Sequence, residues 1–465
     1  MTKKQIYILL AIFGILAAGI FLRSLQTPRG LVAEDTQTLD FSFDQARAAK
    51  IIISRAGKEE LMALKQQGIW ILPQLWNAKA APEKIADFLG GLARARGEVR
   101  ADDAALLADF GITEDSALAI QLQDESGAGL LDLRAGTKRA ANGSVFLRRA
   151  GSNTVFLSDF DLFRLLGIYG DAAQEPIQPR LWADLEPVKV RPADVKTIEV
   201  LRFDGKNPVT AVQLKHAPGE KTPWAFGAPY EGFSLDSDKA DTFLRALTSL
   251  RASGVTDPAA SYGFDLPALQ IKIQTAEGDR VLTVGQENAD KTTRALRVEG
   301  DLSASNAETA YEISRFSVNE LSADDSRFFK AGLPGVAAGS VEAVILSKQG
   351  KEKRLSAADG ESFEAVIRTL TQLEIPGLLL SADEKKRARS PGLDQVTLEL
   401  KGGQKMILDF GEQLEKDGSL GARYAASVRG KPLLFTVSAV DYEALFESLK
   451  PAETKASQPA LPEAQ

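Results

Sequence analysis

At 465 residues the chain is too long for one ordinary core and suggests about three domains, and 44% hydrophobic with 26% charged residues describes folded protein. Lysine and arginine number 56 against 63 aspartate and glutamate, a net charge of -7 that offers no basic footprint for nucleic acid. With no cysteine and one histidine, disulfides, thiol nucleophiles, zinc–thiolate sites, iron–sulfur clusters and multi-histidine metal sites are excluded.

Ile6 to Leu22 is an uncharged apolar run behind Lys3 and Lys4. As a helix it would be roughly 26 Å long, close to the ~30 Å of a hydrocarbon core. A cleaved signal peptide is the alternative, but Phe21-Leu22-Arg23 offers no small-residue cleavage site. The expectation is an uncleaved anchor over residues 1–23, with the N-terminus cytoplasmic and the bulk of the chain extracytoplasmic at a bacterial inner membrane. Residues 24–42 read as a tether.

The body repeats one order of elements three times. In residues 43–175, Lys50–Ser54, Leu61–Leu64 and Gly68–Pro73 read as strands, and Ile85, Phe88, Leu89 and Leu92 form a helical stripe. Phe110-Gly111-Ile112 is a turn, and the alternating Leu118–Leu122 leads to a strand ending at Gly136. In residues 180–330 the same order runs from Lys196–Leu201 through Trp224 to a helix with Ala240, Phe243, Leu244 and Leu247 on one face. Tyr262-Gly263-Phe264 and the strands before and after Gly285 complete it. In residues 335–449 the helix stripe is Phe363, Val366, Ile367 and Leu370, with Gly392 and Gly411 in the glycine positions and no tryptophan.

Gly111, Gly263 and Gly392 are 152 and 129 residues apart, far more than the roughly 20–50 of solenoid repeats. Units of that size bury their own cores. The fold expected is therefore α+β: an N-terminal transmembrane helix, then three tandem domains, each a mostly antiparallel sheet with one long packed helix. Residues 450–465, rich in Pro, Ala, Glu and Gln, read as a disordered tail.

Motifs for chemistry are scarce. No P-loop, Gly-x-Ser-x-Gly or Ser-x-x-Lys pattern occurs. The acidic pairs Asp102-Asp103, Asp159/Asp161, Asp236/Asp238 and Asp324-Asp325 mostly stand beside helix starts or between elements, where carboxylates cap backbone N–H groups and solvate loops; a metal or acid–base site is the alternative. Trp70 and Trp224 recur before prolines; shared packing explains them, and a carbohydrate platform or partner contact is the alternative. Lys385, Lys386, Arg387 and Arg389 form a basic run suited to a solvated helix end, or to acidic lipid headgroups or an acidic partner.

The Lys3-Lys4 anchor, the Arg180–Val200 entry, Trp224–Pro229, the helix at Ser237–Arg251 and Tyr262-Gly263-Phe264 together resemble a family of uncharacterised bacterial membrane-anchored envelope proteins with repeated α+β domains of unknown function. Members are often encoded beside ABC-type exporter subunits and a gliding-motility-like auxiliary protein. The resemblance implies a non-enzymatic scaffold or accessory subunit of an ABC-type transport system, with envelope protein partners, no cofactor and no metal. Two alternatives stand beside it: a periplasmic small-ligand or glycan-binding module using inter-domain clefts, and a carboxylate-dependent enzyme.

Overall fold

A computed structural model describes residues 37–38, 41–140, 143–204, 206–220, 223–227, 233–288, 291–300, 309–323, 325–377, 394–414, 422–430 and 434–449. The expected anchor, most of the tether, the Gly392 turn and the tail lie outside them. Among the described residues, no helix is long and apolar enough to cross a membrane.

The fold is α+β, with three mostly antiparallel sheets. The first contains β1 (Gln37–Thr38), β2 (Lys50–Arg55), β3 (Lys58–Gln66), β4 (Ile69–Leu72) and β5 (Ala78–Lys79), then α1 (Pro82–Arg94). β6 (Arg96–Asp102), β7 (Leu118–Gln123), β8 (Gly129–Ala135), β9 (Val145–Arg149) and β10 (Thr154–Ser158) follow, and α2 (Leu162–Leu166) ends the series. The strands lie in the order β1-β6-β10-β9-β8-β7-β2-β3-β4-β5.

The second sheet takes β11 (Val195–Asp204), β12 (Asn207–His216) and β13 (Trp224–Phe226), then α3 (Ser237–Thr248). β14 (Gly254–Thr256), β15 (Leu269–Thr275), β16 (Asp279–Glu287), β17 (Thr293–Glu299) and β18 (Ala310–Ser314) follow, with α4 (Arg315–Leu321) last. Its order is β13-β12-β11-β15-β16-β17-β18-β14. The third has β19 (Val341–Lys348) and β20 (Lys351–Ser356), α5 (Glu361–Gln372), β21 (Asp394–Leu400), β22 (Lys405–Leu414), β23 (Arg423–Val428), β24 (Leu434–Ser438) and α6 (Ala439–Leu445). Its order is β20-β19-β21-β22-β23-β24.

Register makes the copies comparable residue by residue. Ile51 faces Ala63 and Leu122, and Ile198 faces Leu214 and Ile273, so these positions coincide. Carried one strand outward, Trp70 opposite Lys65 coincides with Trp224 opposite His216.

Each long helix forms for legible reasons. α3 is capped by Asp236, whose Oδ1 accepts the Lys239 N–H at 3.3 Å, and its stripe Ala240, Phe243, Leu244 and Leu247 is buried. α1 starts with Pro82 at its first position and buries Ile85, Phe88, Leu89 and Leu92. α5 buries Phe363, Val366, Ile367 and Leu370. Each such aliphatic or phenyl side chain contributes about 1.5–3 kcal/mol relative to exposure.

The described chain falls into two compact units, one of residues up to Leu185 together with Gly254–Asp257, the other of Glu186–Ser253 and the residues from Pro258 on. The sequence suggests a domain start at Arg180, yet the first unit runs through Leu185. Trp182 is the reason. Its ring is fully buried edge-on against Phe88, with centroids 5.1 Å apart, and its indole N–H donates to the Leu165 carbonyl at 2.9 Å. Its own carbonyl accepts the Ala81 N–H at the head of α1, at 2.7 Å. Phe328 repeats this in the second unit: it is buried 5.3 Å from Phe243, and its carbonyl accepts the Asp236 N–H at 2.9 Å. Within that unit, Gly332 and Leu333 N–H groups donate to Leu373 and Leu370 carbonyls, and Phe233 packs edge-on to Phe435.

Candidate functional site

A cleft of about 680 Å³ lies in the first unit. One wall is the 3-10 helix Ala104–Phe110, capped by Asp103, whose Oδ1 accepts the Ala105 N–H at 2.9 Å. The helix stops at Gly111, which adopts φ 63°, a left-handed conformation open to glycine at little cost. Thr137, just beyond β8, donates its N–H to the Gly111 carbonyl at 3.0 Å and its hydroxyl to the same oxygen at 3.3 Å. Gly136 makes this crossing possible, because a Cβ there would sit 2.5 Å from the Phe110 carbonyl oxygen. Gly285 lies equally close to the Tyr262 carbonyl, so the two copies share one backbone crossing.

The opposite wall follows α2. Gly167 ends the helix in the left-handed region, and the Tyr169 and Gly170 N–H groups then both donate to the Glu175 carboxylate. Asp171 accepts the Ala173 N–H at 2.9 Å through Oδ1.

Two cations stand at the cleft. Arg139 is braced: its Nη2 donates to the Ile168 carbonyl at 2.6 Å, and its guanidinium lies 5.1 Å from the centre of the Phe163 ring. Lys138 is exposed and has no partner among the described residues. Thr113 and Ser116 contribute hydroxyls 2.7 Å apart. The arrangement places cationic and hydroxyl donors around small side chains, which suits an oxyanion.

The first copy alone has this charge. After the shared glycine, Thr137-Lys138-Arg139 is replaced in the second copy by Gln286-Glu287-Asn288. There Glu287 pairs with Arg294 at 3.2 Å, and Asn288 Oδ1 accepts the Thr292 N–H at 3.0 Å. The third copy has Glu412-Gln413-Leu414 after Gly411. Sequence inspection missed the site because each triplet is unremarkable alone. Comparing the residues after the three glycines would have exposed it.

A second polar cluster joins α6 to the third sheet. The Tyr442 hydroxyl donates to Asp394, and its ring stacks on Tyr424 at 3.7 Å. Burial chiefly, then the hydrogen bond to Asp394, pushes the Tyr442 phenol well above its ordinary value, so it stays neutral. Lys348 Nζ lies 4.3 Å over the same ring and 3.6 Å from Glu443. These groups use one another, and the cluster clamps a helix to a sheet.

The residues singled out in the sequence do not converge. Trp224 is buried, stacks on His216 at 4.3 Å and donates its indole N–H to Asp241 at 2.6 Å. Trp70, at the matching ladder position, is half-buried against the first core, and its copy has Ala86 where the second has Asp241. Lys385, Lys386, Arg387 and Arg389 lie outside the described residues. The acidic pairs are dispersed: Asp102 accepts the Thr154 hydroxyl, Asp159 the Arg96 N–H, and Asp161 pairs with Arg164. Glu114 is held below the usual carboxylate range by hydrogen bonds from Arg134 and then Arg148, an arrangement that ties β8 and β9 to the turn before β7.

Residues 70–267 match a family model described as a domain of unknown function (DUF4340). The match begins at Trp70, contains every residue lining the cleft and ends before β15. No curated protein and no solved structure matches the chain.

Proposed function

We propose that the protein is a membrane-anchored extracytoplasmic scaffold that works through protein contacts, as an accessory to an ABC-type transport system. The transport setting follows from the resemblance of its anchor and repeats to the envelope family. One structural comparison supports contact-making as the mode of action. A serine ends the last strand of each copy, at Ser158, Ser314 and Ser438, and its hydroxyl accepts a backbone N–H in the following turn. Two residues further on stand Phe160, Phe316 and Val440.

Phe160 is buried, 6.2 Å from Phe88, in space that Gly91 leaves open beside it. Phe316 is 71% exposed and Val440 79%. A single exposed apolar side chain needs no explanation. Here, however, one position of the repeat buries its apolar group in the first copy and presents it to the surroundings in the other two. Large apolar groups held outward on a capped helix start are the anchors that partner pockets accept.

The test replaces Phe316 or Val440 with a photoreactive phenylalanine analogue in the full-length protein, followed by irradiation of intact cells. Adducts to an integral transporter subunit are expected from these positions and not from exposed Glu277. Absence of any protein adduct from both positions sinks the proposal.

A further inference from the structure

We propose that the cleft of the first unit binds a small organic anion, whose carboxylate or phosphate is held by Lys138 and Arg139 and by the hydroxyls of Thr113 and Ser116. Four observations carry this. The volume of about 680 Å³ falls within the roughly 300–1,000 Å³ of small-molecule sites. Ala108, Gly111, Ala172 and Ala173 line it with small groups, leaving room for the ligand body. Arg139 spends one N–H on the Ile168 carbonyl and lies over Phe163, which orients its guanidinium and leaves its other donors for an oxyanion. Lys138 brings a second positive charge with no partner among the described residues.

Divergence between copies strengthens the assignment. The supporting crossing at Gly136 recurs at Gly285, so packing does not demand cations beside it. In the second copy Glu287 occupies the place of Lys138 and is neutralised within its own sheet by Arg294. The first copy keeps both cations facing a cleft. Asp171, on the far wall, engages Ala173 through one oxygen and leaves the other as an acceptor. The ligand therefore carries one anionic end and a hydroxyl-bearing body.

The experiment is calorimetric titration of the detergent-solubilised full chain with glucuronate, glucose 6-phosphate and uncharged glucose at low ionic strength. The carboxylate and phosphate arms separate the two possible anions. At least one anion is expected to bind with Kd near or below ~1 mM, and glucose at least ~10-fold more weakly. Lys138→Ala, an exposed truncation, is expected to weaken anion binding about 10-fold while the unfolding midpoint stays put. Raising salt should weaken binding as well. Failure of both anions to bind below about 10 mM, or undiminished binding in a folded Lys138→Ala protein, overturns the proposal. The scaffold proposal is untouched by either result, since its test reads Phe316 and Val440.

Discussion

The first and second sheets share eight strands in one order, whereas among the described residues the third shows the middle six. β4-β3-β2-β7-β8-β9-β10-β6 maps strand for strand onto β13-β12-β11-β15-β16-β17-β18-β14. In the third sheet β20 has no outer neighbour among the described residues. That strand is rich in charge: Arg354 pairs with Glu399 and Lys353 Nζ donates to the Ser448 carbonyl. Charged side chains on a terminal strand discourage pairing with other chains. At the other end, Thr436 donates its N–H to the Gly377 carbonyl, one bond where the other copies place a strand. The difference teaches that the six middle strands and the long helix are what all three copies have in common.

The sharpest way to break the equivalence of the first two copies is to remove the aromatic that closes each helix. Trp182→Ala takes away a fully buried indole, its contact with Phe88 and its hydrogen bond to Leu165, and should destabilise the first unit by about 3–5 kcal/mol. Phe328→Ala should cost the second unit a comparable amount. Urea unfolding followed by tryptophan fluorescence and by proteolysis of each unit measures both. Loss of the same transition in both variants would show that the two aromatics do not act on separate units.

A smaller effect is expected at the backbone crossings. Gly136→Ala and Gly285→Ala each force a methyl group against a carbonyl oxygen and should cost about 1–3 kcal/mol. Similar midpoint shifts in thermal unfolding would confirm that the crossings are equivalent. Tolerance at one site alone would separate the copies.

The smallest effect concerns acid. At the turn after β7, Asp124 accepts hydrogen bonds from the Ser126 hydroxyl and N–H and the Ala128 N–H, and pairs with Arg47 at 2.6 Å. The Ser126 hydroxyl first, then Arg47, lowers its carboxyl from the ordinary 3.8 to about 2. A depressed folded-state value contributes stability above pH ~4, which fades as pH falls toward ~2. The second copy has Thr275 at this place, whose hydroxyl donates to the Gly278 carbonyl at 2.8 Å and does not titrate. Protection from amide exchange, relative to the intrinsic rate at each pH, should therefore fall between pH 5 and 2 at residues 124–128 more than at 275–279. Equal responses at the two turns would remove the distinction.

Much of the fold is legible in the sequence where strands are central. Ile51 and Ile53, Ile198 and Val200, and Leu118, Ile120 and Leu122 alternate because one face of each strand is buried. β6, β14 and β20 escape notice for the opposite reason. Arg96–Asp102 buries only Gly97 and Ala101, and Lys351–Ser356 only Leu355, so margin strands leave no period-2 trace. The helices are visible through their stripes. Trp182 is not, since it serves a core whose strands and helices all precede it. The cleft was hidden for a related reason: Lys138 and Arg139 gain meaning only once Gly111, Gly136 and the turn after α2 are brought together.

The position of Trp182 also bears on the order in which the chain acquires structure. All ten strands of the first sheet and both of its helices have been synthesised by Leu166, yet Phe88 lacks the second of its aromatic neighbours and Ala81 its backbone acceptor until residue 182 emerges. A nascent chain thus closes its first long helix only while it is already spelling out the approach to the second sheet. A fragment cut at residue 175 would retain every strand of the sheet and still be open at the helix, whereas one cut after Leu185 would carry Trp182 and its contacts with that helix.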